Sequence, residues 1–244
     1  MIRTIFTVLL QVALVSPLLF WARAEKGMRW KNLLLLVAFL GIYWTLLSLP
    51  NSFPALKMTS GSWNWSGKIY AIAGSALFYF AVRSALGTQD FVRFEWRNQA
   101  AFRKFLIILA FFVCIIGLAF YLISDSTDRT EYLRFQALLP GLDEELAFRG
   151  IIMGLLSAIL KPEITLGRIK LGNPALWISA TFFALGHSFT IDSQCTIHQN
   201  WFEFFNVLAI GSLLGWLTLK SGNIWTAVLV HNLFNVVPKL LFWL

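Results

Sequence analysis

Long apolar segments recur along this 244-residue chain, and they constrain its fold more than any other feature. A bilayer core about 30 Å thick is crossed by roughly 20 apolar residues in a helix. The sequence therefore predicts an all-α, polytopic membrane helical bundle with about eight transmembrane helices. Their approximate bounds are Thr4 to Trp21, Leu33 to Leu49, Ile69 to Leu86, Phe105 to Ser124, Leu142 to Leu160, Pro174 to Ser188, Trp201 to Leu219 and Ile224 to Leu244.

Composition excludes the soluble classes. Hydrophobic residues make up 58% of the chain and charged residues only 13%, whereas a soluble domain carries about 25% charged residues. The formal net charge of +8 fits basic residues that anchor membrane loops, so no nucleic-acid partner is expected. No repeat or long polar linker divides the chain, and residues 1–244 are expected to form a single integral-membrane domain.

The fifth segment is expected to begin a new helix. Pro140 and Gly141 should break the stretch before it, so that a helix starts near Leu142. Asp143 would then lie in the first turn, where the positive end of the helix dipole stabilises an acidic side chain. A structural role for Asp143 follows from that position.

Glu144 is harder to explain by structure alone. An ionisable side chain in a membrane helix costs roughly 2.5–3.5 kcal/mol on insertion scales. Glu145 and Arg149 are four residues apart and can neutralise each other as an ion pair. Glu144 is rotated about 100° from Glu145, so it must find its partner on another helix.

Two histidines lie in apolar segments and are the candidate partners. His187 ends the sixth segment, with Phe183 one turn before it, and His231 lies in the eighth, with Asn235 one turn after it. Glu144 begins the fifth segment and His187 ends the antiparallel sixth, so the two should lie at the same depth. Together they indicate a polar site inside the bundle.

Two other patterns are interpreted as structural. Gly211 and Gly215 form a G-x-x-x-G motif, which allows a neighbouring helix to approach closely. The third histidine, His198, lies in a polar stretch near Asp192 and is predicted to be a solvated loop residue.

Three motifs in the C-terminal part of the chain, residues 138–244, resemble the signature of the CPBP family. These are intramembrane glutamic endopeptidases that include the type II CAAX prenyl endopeptidase and bacterial bacteriocin-processing and self-immunity proteins. The motifs are E-E-x-x-x-R at Glu144, Glu145 and Arg149, F-x-x-x-H at Phe183 and His187, and H-x-x-x-N at His231 and Asn235.

The resemblance implies an intramembrane endopeptidase that cleaves a peptide or a lipid-anchored or other membrane protein. Glu144 would act as general base on a water held jointly with His187. His231 and Asn235 would form the oxyanion hole. No cofactor is implied, and similarity to the short bacterial members suggests a bacterial cytoplasmic (inner) membrane. The supporting residues would be Glu145, Arg149 and Phe183.

Two alternatives stay open from the residues themselves. Glu144, His187 and His231 are also a plausible zinc ligand set with an open fourth position, although no H-E-x-x-H motif is present. A non-catalytic carrier or immunity protein could use the same intramembrane charges. The membrane side is open as well, because loop charges place both termini outside the cytoplasm, whereas the resemblance suggests a site that opens to the cytosol.

Overall fold

The computed structural model describes residues 2–24, 30–86, 89–93, 127–192 and 194–243, and its architecture is a helical bundle. The predicted segment Phe105 to Ser124 lies outside these residues. The helices are α1 (Ile2–Trp21), α2 (Trp30–Ser52), α3 (Trp65–Leu86), α4 (Thr127–Glu145), α5 (Met153–Ser157), α6 (Pro174–Ser188), α7 (Trp201–Ser221) and α8 (Trp225–Trp243), with a 3₁₀ turn at Pro54–Leu56 and a π-helical segment at Leu146–Ile152 between α4 and α5.

Two short antiparallel hairpins connect the later helices. Strands β1 (Ile164–Leu166) and β2 (Ile169–Gly172) lie between α5 and α6. Strands β3 (Phe189–Ile191) and β4 (Ile197–Gln199) lie between α6 and α7, with Thr190 opposite His198. Both hairpins therefore lie at the ends of the bundle.

Within the described residues, four helices are long and apolar enough to cross a membrane: Arg3–Trp21, Trp30–Ser52, Trp65–Leu86 and Trp201–Ser221. The apolar part of α8, Trp225–Val237, is shorter, and α6 has only 15 residues. The structure therefore fits a multi-pass membrane protein, while the count of eight transmembrane helices is not confirmed.

The expected helix start near Leu142 is wrong. Helix α4 begins at Thr127 and continues through Pro140 to Glu145, where the π-helical segment follows. Asp143 therefore lies inside a long helical run, not in a first turn, and its side chain is fully buried.

A contact with α8 explains why the chain stays helical around Pro140. Proline has no N–H to donate, and the next residue, Gly141, donates its N–H to Asn232 Oδ1 at 2.8 Å. A Cβ on Gly141 would lie 2.5 Å from that oxygen and 2.6 Å from the Val228 carbonyl oxygen. Glycine thus allows the α4 and α8 backbones to approach, and Asn232 satisfies the donor.

The close approach predicted at the G-x-x-x-G motif is confirmed, and α6 is the neighbour. A Cβ on Gly211 would lie 3.0 Å from Phe183 Cδ1, and one on Gly215 would lie 3.1 Å from Leu176 Cγ. The small residues of α7 therefore let α6 pack tightly. This packing positions Phe183 and the end of α6.

Candidate active site

Glu144 lies where α3, α4, α6 and α8 meet, with only 8% of its surface exposed. Its Oε1 accepts a hydrogen bond from Lys68 Nζ at 2.5 Å. Its Oε2 has no hydrogen-bond partner among the described residues. That oxygen lies 3.6 Å from His231 Nε2 and 3.8 Å from His187 Nε2. The structure thus brings together Glu144 and the two histidines, and Glu144 has partners on other helices as predicted.

In each imidazole, a neighbouring hydrogen-bond acceptor shows that the ring proton is on Nδ1. His187 Nδ1 lies 3.0 Å from the Phe183 carbonyl oxygen, and His231 Nδ1 lies 2.7 Å from Glu145 Oε1. A carbonyl and a carboxylate oxygen only accept, so Nδ1 carries the proton in both rings. Both rings therefore direct Nε2 towards Glu144.

The predicted ion pair between Glu145 and Arg149 is confirmed. Arg149 Nη1 donates to Glu145 Oε1 at 3.0 Å, and Nη2 donates to the Gly211 carbonyl oxygen at 2.9 Å. The guanidinium carbon lies 4.5 Å from the centre of the Phe183 ring. Arg149 is fully buried. It therefore fixes the carboxylate that holds His231 and links α4 to α6 and α7.

Asn235 follows His231 by one turn of α8 and is half-buried. Its backbone carbonyl oxygen lies 3.4 Å from the Tyr132 hydroxyl. In the part of the chain that the structure describes, no hydrogen bond joins its side-chain amide to Glu144 or to either histidine. Its place in the site therefore stays a prediction.

Lys68 and Tyr43 were missed at the sequence level, and both bind Asp143, which was expected to have a structural role in a first turn. Lys68 Nζ donates to Asp143 Oδ2 at 2.7 Å as well as to Glu144, and the Tyr43 hydroxyl donates to the same Asp143 oxygen at 3.0 Å. The available signal was a lysine just before Ile69, where the third apolar segment was expected to begin. At that edge a lysine is readily interpreted as an interface anchor.

The charges of the cluster nearly balance. Three carboxylates (Asp143, Glu144 and Glu145) face two basic groups (Lys68 and Arg149) through ion pairs of 2.5–3.0 Å. With both imidazoles neutral, one negative charge is left over. One doubly protonated imidazole would compensate it.

The fold and the site define an integral multi-pass membrane protein with a buried carboxylate–histidine centre. Residues 130–237 match the family described as type II CAAX prenyl endopeptidase Rce1-like. This match supports the membership of the CPBP/CAAX family that the three motifs predicted. The family implies a membrane protease. No curated protein and no solved structure matches the chain.

Proposed function

We propose that this protein is an intramembrane endopeptidase in which Glu144 activates a water to hydrolyse a peptide bond. One observation carries the proposal: Glu144 Oε2 faces the Nε2 atoms of His231 and His187 at 3.6 and 3.8 Å. A single water can hydrogen-bond to groups separated in this way. A carboxylate and an imidazole are the usual general bases for such a water.

The position of the proton on His187 sets the orientation of the water. Since His187 Nδ1 donates to the Phe183 carbonyl, the neutral ring has a lone pair at Nε2 and can accept from the water. The water then directs one proton to His187 and the other to Glu144 Oε2. Glu144 takes its proton as the water oxygen attacks the carbonyl carbon, and later passes it to the amine as the C–N bond breaks.

The negatively charged oxygen of the tetrahedral intermediate would be stabilised by His231 and Asn235 of α8. His231 donates Nδ1–H to Glu145, so a second donor at Nε2 requires the doubly protonated ring. Glu144 and Glu145 flank that ring and would balance its charge. The Asn235 amide would supply the other donor. Loss of one such donor costs roughly 2.7–4 kcal/mol of transition-state stabilisation in other enzymes.

The substrate we propose is a peptide or a lipid-anchored or other membrane protein, cleaved in a bacterial cytoplasmic membrane. Family membership supports a polypeptide substrate. Because Glu144 is buried within the bundle, we propose that the peptide bond to be cleaved reaches it at the membrane. Bacteriocin processing is one biological role that meets these conditions.

A zinc hydrolase with the ligands Glu144, His187 and His231 is the second candidate function. The observation that favours it is the Nδ1 geometry. Zinc-ligating histidines commonly donate their other N–H to a carboxylate or a backbone carbonyl, as both rings do here. Among the described residues, no group of three or more His, Cys, Asp or Glu side chains meets the geometry for holding a metal ion as it stands.

Cleavage of a peptide library by the purified, detergent-solubilised protein tests both candidates. We expect Glu144→Gln to lower kcat by about 10³-fold, while the matched substitution at the exposed Glu163 leaves it unchanged. A strong chelator should have no effect on the wild type. Activity lost on chelation would favour the zinc hydrolase, and activity retained by Glu144→Gln would remove this residue as the base.

The same assay addresses a non-catalytic role. If the wild type cleaves no peptide in the library, reconstitution in vesicles with lipid-anchored peptides follows. Absence of cleavage there too, with folded protein, would contradict the proposed activity and favour a carrier or an immunity protein that acts by binding.

A further inference from the structure

Lys68 is a buried lysine, with 8% of its surface exposed, in the first turns of the apolar helix α3. Its Nζ lies 2.5 Å from Glu144 Oε1 and 2.7 Å from Asp143 Oδ2. A buried ammonium is costly unless it is paired and hydrogen-bonded. Its two carboxylate partners on α4 meet that requirement.

The fold fixes Lys68 independently of Glu144. Just before α3, Asn64 Nδ2 donates to the Leu47 carbonyl oxygen of α2 at 3.0 Å. At the start of α3, Trp65 Nε1 donates to Glu131 Oε1 of α4 at 3.0 Å. These bonds tie the beginning of α3 to both neighbouring helices. Lys68 is therefore presented to the site by a rigid support.

Asp143 is the second carboxylate that binds the Lys68 ammonium. Its Oδ2 accepts from Lys68 and also from the Tyr43 hydroxyl at 3.0 Å. Among the described residues, no hydrogen bond or ion pair joins Asp143 to either histidine. Its contribution to the site thus runs through Lys68.

We propose that Lys68 is a positioning residue for Glu144, an inference that rests on the proposed function. By binding Oε1 it leaves Oε2 as the oxygen that faces His187 and His231. Two oxygens of one carboxylate are thereby given separate tasks, one structural and one chemical. Without the ammonium the carboxylate can rotate and lose its alignment with the attacking water.

The consequence is a loss in turnover more than in substrate binding. Misplacement of a reacting group by about 1 Å costs on the order of 10²-fold in rate. We therefore expect Lys68→Met to lower kcat by about 10²-fold and to change KM by less than about threefold. Lys68→Arg keeps the charge and should recover a substantial part of kcat. Lys57→Met, at an exposed lysine before α3, is the matched control.

A cavity variant separates charge from packing. Lys68→Ala should regain activity when n-propylammonium is added and should not regain it with n-propanol, a neutral molecule of similar size. Size-exclusion chromatography supplies the folded fraction, so that kcat is counted per folded molecule. These measurements keep the proposal testable if Lys68→Met folds poorly.

The outcomes distinguish a failure of the positioning role of Lys68 from a failure of the proposed function. Wild-type kcat in folded Lys68→Met would overturn the positioning role, as would a low kcat that neither arginine nor n-propylammonium improves. Glu144→Gln tests the proposed function separately. If it is inactive while Lys68→Met is fully active, only the inference fails; if Glu144→Gln is active, the proposed function itself fails.

Discussion

Two carboxylate–imidazole pairs of nearly equal length occur in opposite surroundings. In the bundle, His231 Nδ1 lies 2.7 Å from Glu145 Oε1, with side-chain exposures of 8% and 0%. At its end, His198 Nε2 lies 2.8 Å from Asp192 Oδ2, with exposures of 59% and 31%. The bond lengths do not tell them apart, but the surroundings do.

The difference lies in what else binds each carboxylate. Asp192 Oδ1 accepts from the backbone N–H groups of Gln194 and Thr196, within its own hairpin. Glu145 is joined to a buried arginine and to a histidine from another helix. An exposed pair contributes little to stability, whereas breaking one side of a buried pair leaves an uncompensated charge. Only the buried pair should therefore couple the fold to the site.

The largest effect is expected for Arg149→Met, which removes the cation of the buried group. Glu145 would keep its charge without its partner, and the Gly211 carbonyl oxygen would lose its donor. We expect the free energy of unfolding to fall by roughly 3–5 kcal/mol. Denaturant titration of the detergent-solubilised protein measures it.

The control for this prediction is Arg168→Met, which removes an exposed arginine near the β1–β2 turn. Its unfolding midpoint in denaturant should equal that of the wild type. Equal midpoints for the two arginine variants would mean that the burial and pairing of Arg149 do not contribute to stability.

A smaller loss in the free energy of unfolding is expected when the α4–α8 contact is broken. Asn232→Ala leaves the Gly141 N–H without its acceptor, and an unpaired buried donor costs about 1–3 kcal/mol, with membrane proteins at the lower end of that range. The same titration measures the change, and Asn51→Ala at an exposed position is the control. A wild-type midpoint for Asn232→Ala would show that another group satisfies this donor.

Local signals in the sequence were sufficient for features formed within one helix. The ion pair of Glu145 and Arg149 follows from four-residue spacing alone. The bounds predicted for α6, Pro174 to Ser188, are those observed. Asn173 caps that helix by accepting from the Ala175 N–H, and Pro174 occupies its first turn. Such signals need no knowledge of other helices.

Features that depend on a second helix could not be predicted in the same way. The continuity of α4 through Pro140 depends on Asn232, which is 91 residues from Gly141 in the chain. The pairing of Lys68 with Glu144 spans 76 residues. The local rule predicted a helix break at Pro140, and no local pattern pointed from Lys68 to Glu144. Tertiary contacts decided both.

The smallest effect is expected for Asp192→Asn in the exposed pair. The hydrogen bond from His198, with those from Thr196 and Gln194, lowers the pKa of Asp192. A carboxyl whose pKa is lowered by folding stabilises the fold above its unfolded pKa of about 3.9, and this contribution is lost as the pH falls through the folded pKa. The stability difference between the wild type and Asp192→Asn should therefore be small at neutral pH and vanish in acid.

Hydrogen exchange in the β3–β4 hairpin measures this effect locally. Exchange of the amides that bond to Asp192 should be faster in Asp192→Asn at neutral pH, and equal to the wild type in acid. The unfolding midpoint should change less than in Asn232→Ala, and peptide cleavage should stay at the wild-type rate. A loss of cleavage in Asp192→Asn would place the hairpin in the site, and the contrast between the buried and exposed pairs would no longer separate function from local structure.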